Sequence, residues 1–171
     1  MKRHLLLIAI VIGAACADPV HSDAVDALGP EKDGINPGPR HRSGENCTTC
    51  HGPVYTVSPE IIVGGTVFRR RSTREPAVNA TVVITDKDGV RHEMGTNDVG
   101  NFYRTKEQLD PPFPWNVEVS YTENGVTYSQ KMLTPIRRNG GCATCHLDSP
   151  DGDSGHMRRI WVIPEPKDGG P

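Results

Sequence analysis

Two copies of one pentapeptide constrain this chain more than anything else in it: Cys47-Thr48-Thr49-Cys50-His51 and Cys142-Ala143-Thr144-Cys145-His146. The pattern C-x-x-C-H is the attachment signature of c-type haem. Each cysteine thiol can add to a vinyl group of the porphyrin, and the adjoining histidine then lies under the ring as the proximal iron ligand. The expected cofactors are therefore two covalently bound haem c, held by Cys47, Cys50 and His51 and by Cys142, Cys145 and His146. A Cys/His zinc site or a pair of local disulfides is the alternative. A single zinc site would have to gather its ligands from distant segments, and disulfides would leave both histidines unexplained. Only 35% of the 171 residues are hydrophobic and 5% are aromatic. A chain this polar gains from burying two large apolar porphyrins, so the haems are expected to be part of the core.

Residues 1–17 read as a targeting segment of the lipoprotein type. Lys2, Arg3 and His4 form a basic start, and the apolar run Leu5–Ile12 falls short of the roughly 20 residues that span a bilayer. The run ends in Gly13-Ala14-Ala15-Cys16. Four of the five cysteines belong to the C-x-x-C-H motifs, and Cys16 is left over at the processing position, which marks it for lipidation. Cleavage after Ala17 is the rival, because Ala15-Cys16-Ala17 also fits a small-residue site. Either way the chain is expected to leave the cytoplasm for the bacterial cell envelope, periplasm or outer membrane, with a lipid as its membrane anchor. The formal net charge of −2 becomes more negative once the basic start is removed. Nothing in that balance suggests nucleic acid as a partner, and the oligomeric state is left open.

Residues 18–46 carry four prolines, Pro19, Pro30, Pro37 and Pro39, and no sustained apolar period, which predicts a flexible tether. Residues 47–164 are expected to form the dihaem domain and 165–171 a disordered tail. Between the two motifs the pattern switches to period two. Trp115, Val117, Val119 and Tyr121 alternate with Asn116, Glu118 and Ser120, a half-buried strand. Ala80, Val82 and Ile84 mark a second strand, closed by the turn Asp86-Lys87-Asp88-Gly89. Further strands are predicted at Ile61–Phe68, Val90–Gly95, Gly100–Thr105, Val126–Leu133 and Arg159–Ile163, with Glu123-Asn124-Gly125 as a hairpin turn. Seven short strands without an amphipathic helix predict a mainly β fold, an antiparallel sandwich.

The stretches Ile62-Val-Gly-Gly-Thr-Val-Phe68, Pro76-Ala-Val-Asn-Ala-Thr-Val-Val83, Asp86–Gly89 and Thr96-Asn-Asp-Val-Gly-Asn-Phe-Tyr103 resemble a carboxypeptidase regulatory-like (transthyretin-like) β-sandwich. Asn79 stands where that family usually has glycine. With a haem motif on each side, the whole resembles dihaem c-type cytochrome lipoproteins of bacteria, and that resemblance implies the fold and haem binding but no particular partner.

If seven strands alternate in direction, strand one begins at the end of the sandwich where strand six stops and strand seven starts. Both C-x-x-C-H loops should then cluster at that end, with Asp86–Gly89 and Lys106–Pro114 lining it. Distal iron ligands are sought in His41, six residues before Cys47, and in Met132, at the end of the sixth strand. His92 and His156 are weaker candidates, with Met94, Met157 and the remote His21 behind them. Arg69, Arg70 and Arg71 read as a solvated charge run or a docking patch. The expected function is electron transfer between redox partner proteins, with no catalytic residues. The alternatives are a haem enzyme or sensor with an open iron, of peroxidase or reductase type, and a structural lipoprotein that binds a partner. No distal acid–base cluster of the kind an enzyme needs is evident.

Overall fold

The computed structural model describes residues 18–53, 57–147 and 157–165. The expected targeting segment with Cys16, His156 and residues 166–171 of the expected tail lie outside the described residues. The chain divides into two compact units, residues 1–30 and 31–171.

In the first unit, helix α1 runs from Pro19 to Ala27. The Asp18 carboxylate accepts from the amides of Val20 (3.1 Å) and His21 (3.4 Å). Pro19 occupies the first helical position, where its missing N–H costs nothing. This cap and proline are a start signal within what the sequence predicted to be tether. The helix buries none of its residues.

The second unit is mainly β. After the four-residue helix α2 (Thr48–His51) come β1 (Ile61–Phe68), β2 (Thr81–Thr85), β3 (Arg91–Gly95), β4 (Asn101–Thr105), β5 (Asn116–Glu123) and β6 (Val126–Lys131). The two-residue strands β7 (Gly140–Gly141), β8 (His146–Leu147), β9 (Met157–Arg158) and β10 (Ile160–Trp161) follow. One sheet has the order β3-β2-β5-β6 and is antiparallel throughout. In the other, β1 pairs with β4 antiparallel. Its opposite edge takes β7 at Val63 and Gly64 and β10 at Val67 and Phe68, both parallel. Those parallel edges depart from the purely antiparallel sandwich expected. β8 and β9 form a separate pair.

Every other residue of the longer strands points inward. Val63 and Val67, Val82 and Ile84, Met94, Phe102, Val117 and Val119 enter one hydrophobic cluster with Trp115 and Val162. Each such aliphatic side chain contributes about 1.5–3 kcal/mol when fully removed from water. Trp115 is buried in this cluster, stacked on Phe113 with ring centroids 4.0 Å apart, and its indole N–H donates to the Pro111 carbonyl at 3.0 Å. Met94 is 2% exposed. It is a core residue.

The turns follow local chemistry. Asn124 and Gly125 both have positive φ, 52° and 79°, as a tight hairpin requires. Asn79 has φ 60°. Only glycine adopts that region freely and asparagine is among its best-tolerated substitutes, so the departure from glycine keeps the same backbone. Asp86 accepts from the amides of Asp88 (2.9 Å) and Val90 (3.0 Å), which closes the turn before β3.

The tether expected over 18–46 is narrower than its composition suggests. Asn97 donates to the Pro39 carbonyl at 2.7 Å, and Asn101 donates to the carbonyls of Pro39 (3.2 Å) and His41 (3.0 Å). Ser43 donates to the Val99 carbonyl at 2.9 Å, and the Gly44 amide donates to Thr66 at 2.8 Å. Residues 39–44 therefore lie on the sheet edge, held by polar side chains that no hydrophobic period announces. At the other end, the Ser72 amide donates to Glu165 at 2.7 Å, so the first residue of the expected tail is attached to the body.

Candidate cofactor-attachment site

The first motif is helical. Positions three and four apart share a helix face, so Cys47, Cys50 and His51 project to one side. The His51 amide bonds back to the Cys47 carbonyl at 3.0 Å, which closes that turn. His51 Nδ1 lies 3.0 Å from the Pro59 carbonyl. A carbonyl only accepts, so Nδ1 carries the proton and the lone pair is left on Nε2. Histidines that bind a metal are oriented in this way.

The second motif is tighter. Gly140 and Gly141 run alongside β1, and a single 3₁₀ turn, Cys142–Thr144, follows at once. In such a turn positions three apart eclipse, which stacks Cys145 over Cys142. His146 then opens β8 and is half-buried.

Adjacent glycines of β1 bring the two motifs together. A Cβ added to Gly64 would lie 3.1 Å from the Cys47 sulfur, and one added to Gly65 would lie 2.8 Å from Cys142 Cβ. Since Gly65 shares a face with the core residues Val63 and Val67, Cys142 packs toward the core and Cys47 on the opposite face. Between the motifs, Asn46 donates to Thr144 Oγ1 at 3.1 Å. Asn46 also accepts from the Thr48 hydroxyl at 2.9 Å, and Gly141 lies directly against Asn46 and Thr48. The expectation of two loops beyond one end of the sandwich therefore changes: the first cysteines sit beside β1, where two missing side chains leave its backbone bare. The loops named for that end do meet there. The Lys106 amide donates to the Glu60 carbonyl at 3.1 Å, next to the carbonyl that holds His51, and the Lys87 amide donates to Pro112 at 3.3 Å.

All four motif cysteines are free thiols. Burial pushes the Cys47 thiol up to about 11 and the Cys142 thiol up to about 12. As whole residues both are only half-buried, but each sulfur is enclosed against β1, and the surroundings of the sulfur set its acidity. Held protonated at neutral pH, these two are poor nucleophiles for premature disulfide formation. Cys145, by contrast, is exposed. No group of three or more His, Cys, Asp or Glu side chains is gathered for a metal ion among the described residues. Each motif presents two thiols and one imidazole, the donor set that a covalent haem attachment takes.

The distal candidates fall in different places. His41 faces His51 with ring centroids 5.9 Å apart and planes 27° from parallel. Met132 packs against the hydrophobic cluster, and its amide continues the sheet ladder by donating to the Val117 carbonyl at 2.9 Å. His92 belongs to the other sheet, and its Nε2 lies 3.0 Å from Asp86. That contact holds the Asp86 carboxyl below the usual carboxylate range. His156 lies outside the described residues, as does the side chain of Met157, while His21 lies in α1. Arg69 and Arg70 are neither a free patch nor simply solvated: Arg69 pairs with Glu123 and with Glu75 (2.9 Å), and Arg70 approaches Glu123 at 3.5 Å.

Asn46, the Pro59 carbonyl and the Gly64-Gly65 pair were not singled out from the sequence. The diglycine inside a strand pattern was the available signal, since it marks close backbone approach. Compared with known proteins, the chain matches no family model, and no curated protein or solved structure is significantly similar to it. No helix among the described residues is long and apolar enough to cross a membrane.

Proposed function

We propose that this chain is a dihaem c-type cytochrome on a transthyretin-like sandwich, passing electrons between redox partner proteins at the bacterial cell envelope, with a lipid on Cys16 as its membrane anchor. The observation that carries this reading is the pair of complete C-x-x-C-H motifs lying against neighbouring residues of one strand. The Asn79 turn, which keeps a glycine-like backbone, favours the transthyretin-like comparison.

Cys47, Cys50, Cys142 and Cys145 would each add S–H across one vinyl double bond, sulfur to the carbon next to the ring and hydrogen to the terminal carbon. The addition consumes no oxidant, but it needs all four thiols reduced. His51 and His146 would ligate the irons, and Pro59 would keep the His51 lone pair aimed. When bound, haem supplies an iron that cycles between ferric and ferrous, with burial and axial ligands setting its potential.

Protein made alongside a haem-ligation system is expected to show two haem additions by intact mass. Its ferrous form is expected to refuse carbon monoxide at both irons, as six-coordinate electron carriers do. A mass that fits zinc or disulfides alone would reject the haem reading. Rapid carbon monoxide binding at one iron would favour an enzyme or sensor. For the anchor, Cys16→Ala is expected to release the protein from the membrane fraction, and wild-type protein that is soluble and begins at Asp18 would remove the lipid from the account.

A further inference from the structure

We infer that the iron held by the first motif takes His41 as its second axial ligand, opposite His51; this rests on the haem reading above and adds the coordination of one specific site. The two ring centroids lie 5.9 Å apart with planes 27° from parallel, and the rings share no hydrogen bond. Metal–imidazole bonds of about 2 Å on either side of one metal atom put two ring centres roughly 6 Å apart.

Both Nε2 atoms are open. At His51, Nδ1 is spent on the Pro59 carbonyl. At His41, the Gly38 amide donates to Nδ1 at 3.4 Å, and the Glu31 carboxylate lies 3.6 Å from the same nitrogen. Among the described residues neither Nε2 has a partner. The carbonyl behind His51 leaves its Nε2 lone pair to a metal; at His41 the proton has to sit on Nδ1, toward the Glu31 carboxylate, for Nε2 to bind.

His41 is also held in place, which a chance neighbour in a flexible arm would not be. Asn101 grips its carbonyl, Asn97 and Asn101 grip that of Pro39, and Arg40 pairs with Asp98 at 2.8 Å. These are positioning residues. Their bonds run from the β3–β4 turn and β4 to the backbone on both sides of the imidazole, so the ligand would be set by the sandwich. Of the rivals within the described residues, Met132 packs against the core and His92 is engaged by Asp86.

The test uses the full-length protein with both haems, their presence checked first by intact mass. A wild-type mass without two haems would overturn the haem reading itself and this assignment with it. With two haems present, His41→Ala is expected to convert one of the two low-spin ferric signals to high spin. It should also open one ferrous iron to carbon monoxide, and added imidazole should restore the low-spin signal. His41→Met keeps a ligand at that position and is expected to raise the midpoint potential of that haem alone, since Met/His irons sit higher than bis-His irons. Two unchanged low-spin signals in His41→Ala, or unchanged potentials in His41→Met, would overturn the assignment while leaving both haems in the account.

Discussion

The two motifs share a sequence but are held in different ways. The first is organised around its imidazole: His51 is oriented by Pro59 and faced by His41, whose segment is pinned by Asn97, Asn101 and Thr66. The second is organised around its first cysteine: Gly140 and Gly141 dock as a strand on β1, and Cys142 follows against Gly65. One site depends on directed polar contacts and the other on close backbone fit. Substitutions that add volume should therefore damage the second motif, and those that remove hydrogen bonds should damage the first.

Gly140 gives the largest expected effect. A Cβ there would run into the Ile62 carbonyl and lie 2.9 Å from the Trp115 ring, neither of which can move cheaply. Gly140→Ala should cost about 3 kcal/mol, the upper part of the range for overpacked sites. Denaturant unfolding measures this, and intact mass should show loss of the second haem ahead of the first. Gly65→Ala, against Cys142 and Phe102, should cost about 2 kcal/mol, whereas Gly64→Ala should cost about 1 kcal/mol because only the Cys47 and Ile61 side chains must give. Equal damage to both motifs from Gly65→Ala would break the distinction.

The polar side of the comparison is tested at Asn101. Asn101→Ala removes the bonds to the Pro39 and His41 carbonyls and the acceptor of the Thr66 hydroxyl. The expected cost is about 1–2 kcal/mol, with altered spectra at the first haem and none at the second.

The thiols add a pH dependence to the haem-free protein. The folded values of Cys47 and Cys142 lie above the unfolded thiol value of about 8.5. The folded state therefore holds protons that the unfolded state has released, and stability falls with rising pH in that window. This contribution is fully present below about 8.5 and lost as pH rises through about 11 and 12. Replacing both residues with alanine should flatten the alkaline limb of an unfolding-versus-pH curve. Below that window, Cys145 should alkylate faster than either. The smallest effect belongs to the exposed pair Lys106–Glu60, 3.5 Å apart: Lys106→Ala should stay within about 0.5 kcal/mol of the parent.

Legibility in the sequence followed the same division. The strand at Trp115–Tyr121, the hairpin at Asn124-Gly125 and the turn at Asp86–Gly89 lie close to their expected positions, because period two and turn residues are local signals. β7 and β10 were not resolved as separate parallel partners of β1. β10 lies within the strand expected at Arg159–Ile163, but its parallel pairing with β1, and the two-residue β7, depend on a partner far away in the chain that no local pattern encodes. The segment at 39–44 looked like linker because its carbonyls are taken by Asn97 and Asn101, residues that also suit loops. At the site, the ligand-bearing pentapeptides were plain from spacing. Their meeting across Gly64 and Gly65 needed the topology.

The central claim is that the two motifs form one redox unit, linked through β1 and the Asn46–Thr144 hydrogen bond. Potentiometric titration of the two-haem protein against both single-haem forms, Cys47→Ala with Cys50→Ala and Cys142→Ala with Cys145→Ala, tests it most directly. Charge on one iron opposes oxidation of a near neighbour, and a low-dielectric surround strengthens that interaction. The two-haem curve is therefore expected to be broader than the sum of the single-haem curves. A two-haem curve that superposes on that sum would contradict the account.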